Sequence, residues 1–562
     1  MSDNKNALLA IVLSVIIIML FEVFYNVSEQ SEISADKSVV DPVITPEADD
    51  NKNRANLPVP KIKEITSDAP STTSSSVDRA EPARISINSE KLVGSMSLTG
   101  MRIDDIKLVQ YKEKLDKDSP DVRVLSPSTG YGGYFLQTGW VSESKDVVLP
   151  DKNSEWVSSA DEIRPGSPVK LTWDNGEKVL FEQTIHLDDQ YIFSITQKVI
   201  NNSSKNIKIF PYGLISRKGT PDTLGFFILH EGAVGFVDNQ LEEIDYDELR
   251  ENQKFEKTVK GGWFGFTDKY WLVSFLPPQN RGADFRAFHV VDENKENMYQ
   301  VDYLLSQESI KPGEEGETVT KFFVGPKSID LLDSYSHEFS IPKFDLAIDF
   351  GWFYFLTKPL FYLMKFLYDL IGNYGVVIFV ITAIIRILLF PLANKQFASM
   401  NHMKQVQPEI VRLRERFAED KARLNQEMMK LYKEKKINPA AGCLPIFIQI
   451  PIFFALYKVL FVAIEMRHAP FFGWIHDLSV PDPTSMFNLF GLLPFTPPDF
   501  LTIGVWPLLM GLSMYIQQKL SPTPPDPIQA KVFMFLPFFF TILLANFPSG
   551  LVIYWFFNNV LS

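Results

Sequence analysis

Hydrophobic and polar positions along the chain change their rhythm several times, and each change marks a different kind of structure. Residues 7–21, ALLAIVLSVIIIMLF, form an unbroken apolar run after Lys5 and before Glu22, without a small-x-small cleavage pattern at its end. This predicts an uncleaved signal anchor over 1–27 with its short N-terminus in the cytoplasm. Residues 28–83 are rich in Ser, Asp, Glu, Pro and Thr, with runs such as STTSSS and PEADD. Such a stretch buries too little apolar surface to offset its ordering entropy and reads as a disordered linker.

From 84 to 345 the pattern becomes short alternating stretches, among them VRVLSP, VKLTW, KVLFEQTIHL, YIFSITQKVI, WLVSFL, MYQVDYLL and VTKFFVG, divided by Gly, Pro, Asn and Asp. Period-two alternation with turn residues predicts strands, and about 260 residues suffice for a β-sandwich that buries its own core. The first helical pattern expected is at 328–336. Residues 346–373 contain the aromatic stretch DFGWFYFLTKPLFYLMKFLYDLIG with Lys358, Lys365 and Asp369 on a polar side. Charges so closely spaced argue for a helix lying in the membrane interface.

The remainder, 374–562, is helical and apolar, with spans expected at about 374–392, 442–464, 501–518, 530–547 and 550–562. With the anchor this makes six transmembrane helices. The last is only about 18 Å long in this chain, short of a 30 Å hydrocarbon core. The loop between 464 and 501 is aromatic, and its stretch MFNLFGLLPF is too short to cross, so it is expected to dip into the outer interface.

Charge then orients these spans. The segment between 392 and 442, expected to form a helical hairpin over 394–438, carries eleven basic and six acidic residues, a net +5 in a chain of net −13. The positive-inside rule places it in the cytoplasm and the sandwich outside. Ile410, Leu413 and Phe417 on one side, and Leu424, Met428, Leu431 and Tyr432 on the other, recur at helical spacing and would join the hairpin. Its exposed cations include Arg412, Arg414, Arg416, Lys433, Lys435 and Lys436. They form either a solvated surface or a docking surface for a ribosome, RNA or an acidic partner. A single cysteine, Cys443, excludes any intramolecular disulfide.

Candidate chemistry is sparse. The sandwich contains no GxSxG, HExxH or phosphate loop. His186 with Asp188 and Asp189, and His230 beside Glu231, read as turn residues. Arg386, inside YGVVIFVITAIIRILLFPL (374–392), is the anomaly. It lies about 18 Å from Tyr374 and about 9 Å from Leu392 along a helix. An unpaired guanidinium there costs roughly 2.5–3.5 kcal/mol, so it either snorkels to the nearer headgroups or faces a hydrated pocket. Thr382 is one turn earlier on the same face. Gln449 enters from the cytoplasm to about 10 Å, and Asn558 and Asn559 enter from outside to a similar level. Buried amides are either glue between helices or, at one shared depth with Arg386, the lining of a polar cavity.

The runs KEKKINPAAGCLPIFIQIPIFFALYKVL (433–460), RHAPFFGWIHDLS (467–479) and FPSGLVIYW (547–555) resemble the YidC membrane protein insertases, relatives of the mitochondrial Oxa and chloroplast Alb proteins. The resemblance covers the membrane part from about 350 onward. The anchor and large outer domain are similar to the Gram-negative form of that family. It implies a five-span core around a hydrophilic groove open to the cytoplasm and lipid, with Arg386 in the groove. A substrate would leave along Ile450, Pro451 and the Phe-rich run containing Phe535 and Phe539. Tyr554 and Trp555 match an aromatic pair of the last span. Implied partners are nascent membrane proteins, the Sec translocon with its accessory subunits, the ribosome or signal recognition particle pathway, and membrane lipids. No enzyme activity, metal or cofactor is implied. The outer loop 480–503 is longer than the family pattern, and a basic tail is missing. Two alternatives remain open at this point: a transporter or channel for an anionic solute that uses Arg386, and a membrane-tethered carbohydrate-binding or modifying enzyme.

Overall fold

The computed structural model describes residues 83–562, apart from 128–132, 145–146, 224–228, 253, 293–294, 418–419, 436–443, 492, 494–501 and 521–526. The expected anchor and nearly all of the linker therefore lie outside the described residues. The rest falls into two compact units. One holds the strand-rich region together with residues up to Leu370 and the segment Ile452–Pro470. The other holds Ile371–Pro451 and Phe471–Ser562.

Strands form where the alternation is clearest. Val179–Leu187 and Ile192–Asn201 bury nearly every second side chain and pair antiparallel, with Ile185 opposite Ile195. Ile192–Asn201 also pairs with Glu315–Pro326. Together with Trp271–Leu276, Trp263–Thr267, Gly232–Val237 and Gln240–Asp245 on one side, and Val169–Asp174 and Val157–Ser158 on the other, they make a nine-stranded sheet.

A second sheet has eleven strands. Its lateral order is Lys254–Lys260, Gly282–Val291, Asn297–Leu305, Ile207–Lys218, Tyr134–Val141, Arg102–Lys112, Leu92–Ser97, Arg84–Asn88 and Glu162–Ile163. Asp121–Leu125 and Glu308–Ile310 pair off this path. Pro211 lies inside Ile207–Lys218, where a proline is unwelcome because it offers no ladder donor. It sits where the partner on one side changes from Glu308–Ile310, paired through Ile209, to Asn297–Leu305, paired from Tyr212 onward.

The two sheets face each other across aromatic pairs, Trp140 with Phe181 at 5.1 Å and Phe275 with Phe285 at 5.3 Å between ring centroids. Some polar groups in this core are matched, while Gln197 Oε1 and Ser274 Oγ are buried without a hydrogen-bond partner among the described residues. Thr138 Oγ1 donates to Gln183 Oε1 at 2.6 Å, and Gln197 Nε2 donates to the Gly139 carbonyl at 2.7 Å. Arg286 pairs with the fully buried Asp302 at 2.7 Å. A buried charge persists only when matched in this way. His186 is exposed, Asp188 accepts from the Gln190 and Ile192 amides and from the Tyr335 hydroxyl at a turn, and His230 pairs with Asp245 at 2.9 Å. A helix absent from the pattern reading, α1 (Tyr246–Asn252), packs Tyr246 and Leu249 inward.

At the end of this unit, α2 (Ile329–Glu338) meets α3 (Tyr354–Ile371), the helix read as interfacial. Lys358 lies 3.2 Å from Asp333 on α2 and 2.7 Å from Asp345, while Lys365 pairs with Asp330. Two of the charges that suggested a wetted face, Lys358 and Lys365, thus fasten α3 to α2, while Asp369 is exposed. Phe355, Phe366 and Leu370 of α3 and the adjoining Trp352 remain exposed, an aromatic face suited to a membrane surface.

In the other unit, α4 (Tyr374–Arg416) runs unbroken from the first expected core span into the hairpin, with Pro391 and Pro408 inside it. It returns through α5 (Lys421–Glu434), and the two meet through buried Val406, Ile410 and Leu431, flanked by Leu413, Met428 and Tyr432. α6 (Leu444–Val462) contains Pro451. α7 (Val505–Leu520), α8 (Pro527–Leu543) and α9 (Ser549–Val560) pack around Met510, Leu544 and Val552. Gly511 permits the close approach of α7 and α8, since a Cβ there would lie 2.0 Å from Thr541 Oγ1. Among the described residues, Tyr374–Met403 is long and apolar enough to cross a membrane, and Ile448–Val462 and Ala530–Asn546 are shorter apolar helices.

Candidate functional site

Arg386 sits on α4 between two environments. Ile387, Leu388 and Phe390, which follow it, are each about two-thirds exposed or more, the pattern of a face meant for lipid. The guanidinium turns the other way, and its Nη2 donates to the main-chain carbonyl of Asn558 at 3.2 Å. That carbonyl belongs to the last turn of α9, where helix carbonyls lack intrahelical donors and the helix dipole is negative. A cation is stabilised there by both effects. Arg386 Nε is buried and, among the described residues, has no hydrogen-bond partner.

Tyr554, one turn before Asn558 on α9, interacts electrostatically with Arg386, and its hydroxyl accepts from Gln449 Nε2 of α6 at 3.3 Å. Arg386, Tyr554, Gln449 and the Asn558 carbonyl therefore form one polar neighbourhood drawn from three apolar helices. The remaining amide and hydroxyl are engaged elsewhere. Thr382 is buried, with its Oγ1 donating back to the Ile378 carbonyl at 2.6 Å. Asn559 is buried and donates to Ser513 Oγ of α7 at 3.2 Å, a bond that holds α9 against α7.

The residues expected to guide a substrate outward differ in exposure. Ile450 and Phe535 are exposed, Pro451, Phe539 and Trp555 are half-buried, and Tyr554 is buried. On the hairpin, Arg412, Arg416, Lys433 and Lys435 are exposed and Arg414 is half-buried. Lys435 pairs with Glu409 at 2.9 Å across the hairpin, and Lys436 lies outside the described residues.

Two features of this unit carry weight that spacing did not reveal. Ser513 is an ordinary small residue in an apolar run until its partner Asn559 is known. Asp482 organises the loop before α7: it accepts from Trp474 Nε1 at 3.0 Å, from the Thr484 amide and hydroxyl, and from the Trp506 amide at 2.9 Å where α7 begins. The Asp-Pro-Thr order around it is a turn signal of the kind that carries such bonds.

Comparison with known proteins gives this geometry a context. A family model described as the YidC periplasmic domain matches residues 84–363, and one described as 60Kd inner membrane protein matches residues 366–562. A curated membrane protein insertase YidC from Rickettsia africae is 45% identical over 559 residues, covering 99% of this chain and 97% of the relative. One from Beijerinckia indica is 44% identical over 576 residues, covering 100% and 94%. A crystal structure of an active YidC insertase with its first transmembrane domain resolved aligns over 85% of this chain and 90% of that one, at 16% identity and a TM-score of 0.34. The matches give no support to the anionic-solute transporter. With near-complete coverage at this level of identity, the chain belongs to the family of YidC membrane protein insertases.

Proposed function

We propose that this chain inserts and folds proteins of the bacterial inner membrane by receiving their polar tails in the pocket around Arg386. The observation that carries the reading is a guanidinium on a membrane-length helix with one nitrogen, Nε, buried and unpartnered among the described residues and another on a helix-terminal carbonyl. A group so incompletely satisfied retains capacity for an acidic partner. The incoming tail would exchange hydration for Arg386, Gln449 and Tyr554, so its polar groups cross less hydrocarbon. The apolar segment behind it would leave sideways past Ile450 and Phe535, whose exposed side chains match lipid. Nothing covalent is required, and no cofactor takes part.

The finer architecture belongs to the same proposal. Six spans with a cytoplasmic N-terminus and hairpin follow from the apolar runs and the charge asymmetry, and a sandwich on the periplasmic side is in keeping with the description of the first family model. The hairpin cations would meet a ribosome or the signal recognition particle pathway, and the Sec translocon with its accessory subunits would work beside the core. Exposed Trp352, Phe355 and Phe366 would rest on membrane lipid.

The test is insertion of a short single-span protein into liposomes containing only this protein, compared with empty liposomes. Faster insertion with the protein is expected, and equal insertion would refute autonomous activity. In a Cys443→Ser background, Gln449→Cys should react with a small polar thiol reagent added from the cytoplasmic side. Complete protection would refute a hydrated pocket.

A further inference from the structure

The outer part of α6 carries polar groups of a different kind from Gln449. Lys458 sits on this apolar helix with its Nζ 2.6 Å from Asp349 Oδ2, and both side chains are almost buried. Asp349 is held ready for it: its carboxylate also accepts from the His230 amide at 3.0 Å and from the Gly351 amide at 3.1 Å. Gly351 has φ of +69°, and a Cβ there would lie 2.8 Å from Lys458 Cε. The Asp-Phe-Gly segment therefore offers Lys458 both a carboxylate for its charge and an open space for its methylenes.

Further contacts follow along the same stretch. Phe454 stacks on Phe353 with centroids 6.5 Å apart. Lys269, at the turn between two strands, places its Nζ 4.1 Å from the centre of the Phe461 ring. Ser328 donates to Glu465 at 3.4 Å, and Arg467 lies over the Trp271 ring and donates to the Glu113 carbonyl. Ile452–Pro470 belongs to the same compact unit as the sandwich.

We propose that the Asp349–Lys458 pair, seated by Gly351, is a latch that fixes the outer half of span three to the periplasmic sandwich. Asp349 and Lys458 are then positioning residues for insertion: they hold the outer half of span three in one register against the sandwich. This rests on the insertase reading of the Arg386 pocket. A buried ion pair suits the task, because removing one partner strands the other's charge and the pair tolerates only one register. The sandwich thereby acquires a mechanical role that requires no ligand.

The test uses the full-length protein in a Cys443→Ser background carrying Phe353→Cys and Phe454→Cys, joined by a short bismaleimide. Asp349→Lys, Lys458→Asp and the double exchange are compared for cross-linking and for insertion of a single-span substrate into liposomes. Each single reversal is expected to reduce cross-linking and to slow insertion by roughly two- to thirty-fold, the range of coupling between packed elements. The double exchange should recover both. Asp349→Asn keeps an acceptor for the two amides while removing the charge, and replaces any reversal that fails to accumulate. Unchanged cross-linking in the single variants, or unchanged insertion when cross-linking is lost, would overturn the proposal. Cross-linking is read without substrate, so failure of the latch is distinguishable from failure of the insertase reading, in which the parent protein does no better than empty liposomes.

Discussion

Replacing Lys327 by methionine should make the sandwich more stable at neutral pH and remove a specific dependence on pH. Lys327 is 2% exposed, and its Nζ donates to Thr267 Oγ1 at 2.8 Å. Burial pushes its ammonium down to about 8 from the ordinary lysine value of 10.5, against the attraction of Asp349, Asp268 and Glu231. That difference corresponds to about 3 kcal/mol against the charged form. The sign follows from proton binding. Between pH 8 and 10.5 the unfolded chain holds the proton that the folded chain has released, so stability rises with pH across that window. Below pH 8 the full penalty applies. Methionine fills nearly the same volume without charge but leaves Thr267 without its donor, a loss of about 1 kcal/mol. Lys327→Met should therefore gain about 2 kcal/mol at pH 7 and lose that advantage by pH 10. Pulse proteolysis of the sandwich in the full-length protein across a urea series, at pH 7, 8, 9 and 10, measures the difference. A difference between parent and variant that stays constant with pH would refute the assignment of the buried charge to Lys327.

Three other perturbations test separate parts of the structure. Burial pushes the Glu465 carboxyl up to about 7, so the folded chain holds a proton that the unfolded chain releases above its ordinary value of 4.5. Stability should fall between pH 4.5 and 7 by at most about 3 kcal/mol, and Glu465→Gln should flatten that slope in thermal denaturation. Gly511→Ala drives a methyl into Thr541 and should destabilise the packing of α7 on α8 by about 1–3 kcal/mol, with Thr541→Ala restoring part of the loss in melting of the purified protein. Ile410→Ala empties the centre of the hairpin core and should cost that element about 2–5 kcal/mol. Hydrogen exchange should then accelerate in both arms, around Val406–Leu413 and Met428–Tyr432, and acceleration in one arm alone would contradict their packing.

Much of the architecture was legible because it depends on period. Alternation located the strands around Val179–Leu187, Ile192–Asn201 and Trp271–Leu276 within a residue or two, and helical spacing gave Ile410, Leu431 and Tyr432 as the hairpin contact. The lateral order of strands was not legible, since Ile207–Lys218 pairs with segments about 70 and 90 residues away in sequence. Of the site, spacing along each helix gave a depth estimate; in the structure Arg386 reaches the Asn558 carbonyl and Gln449 reaches Tyr554. Rotation about each helix axis was not encoded in that arithmetic. Hence Thr382 turned out to bond its own helix, Asn559 to bond Ser513, and Asn558 to contribute a carbonyl rather than its amide. Lys458 and Asp349 escaped notice because a lone lysine near the end of an apolar run and a lone aspartate before one carry no signal until they are paired.

The most direct measurement of the central claim is the insertion rate of two single-span substrates, identical except for an acidic or an uncharged outer tail, into liposomes containing the parent protein, Arg386→Lys or Arg386→Ala. The account predicts that Arg386→Ala slows the acidic-tailed substrate strongly and the uncharged one little, and that Arg386→Lys falls between because it keeps the charge without the fork of donors. Equal loss for both tails would show that Arg386 only caps the end of α9, and no loss for either would contradict a pocket built on its charge.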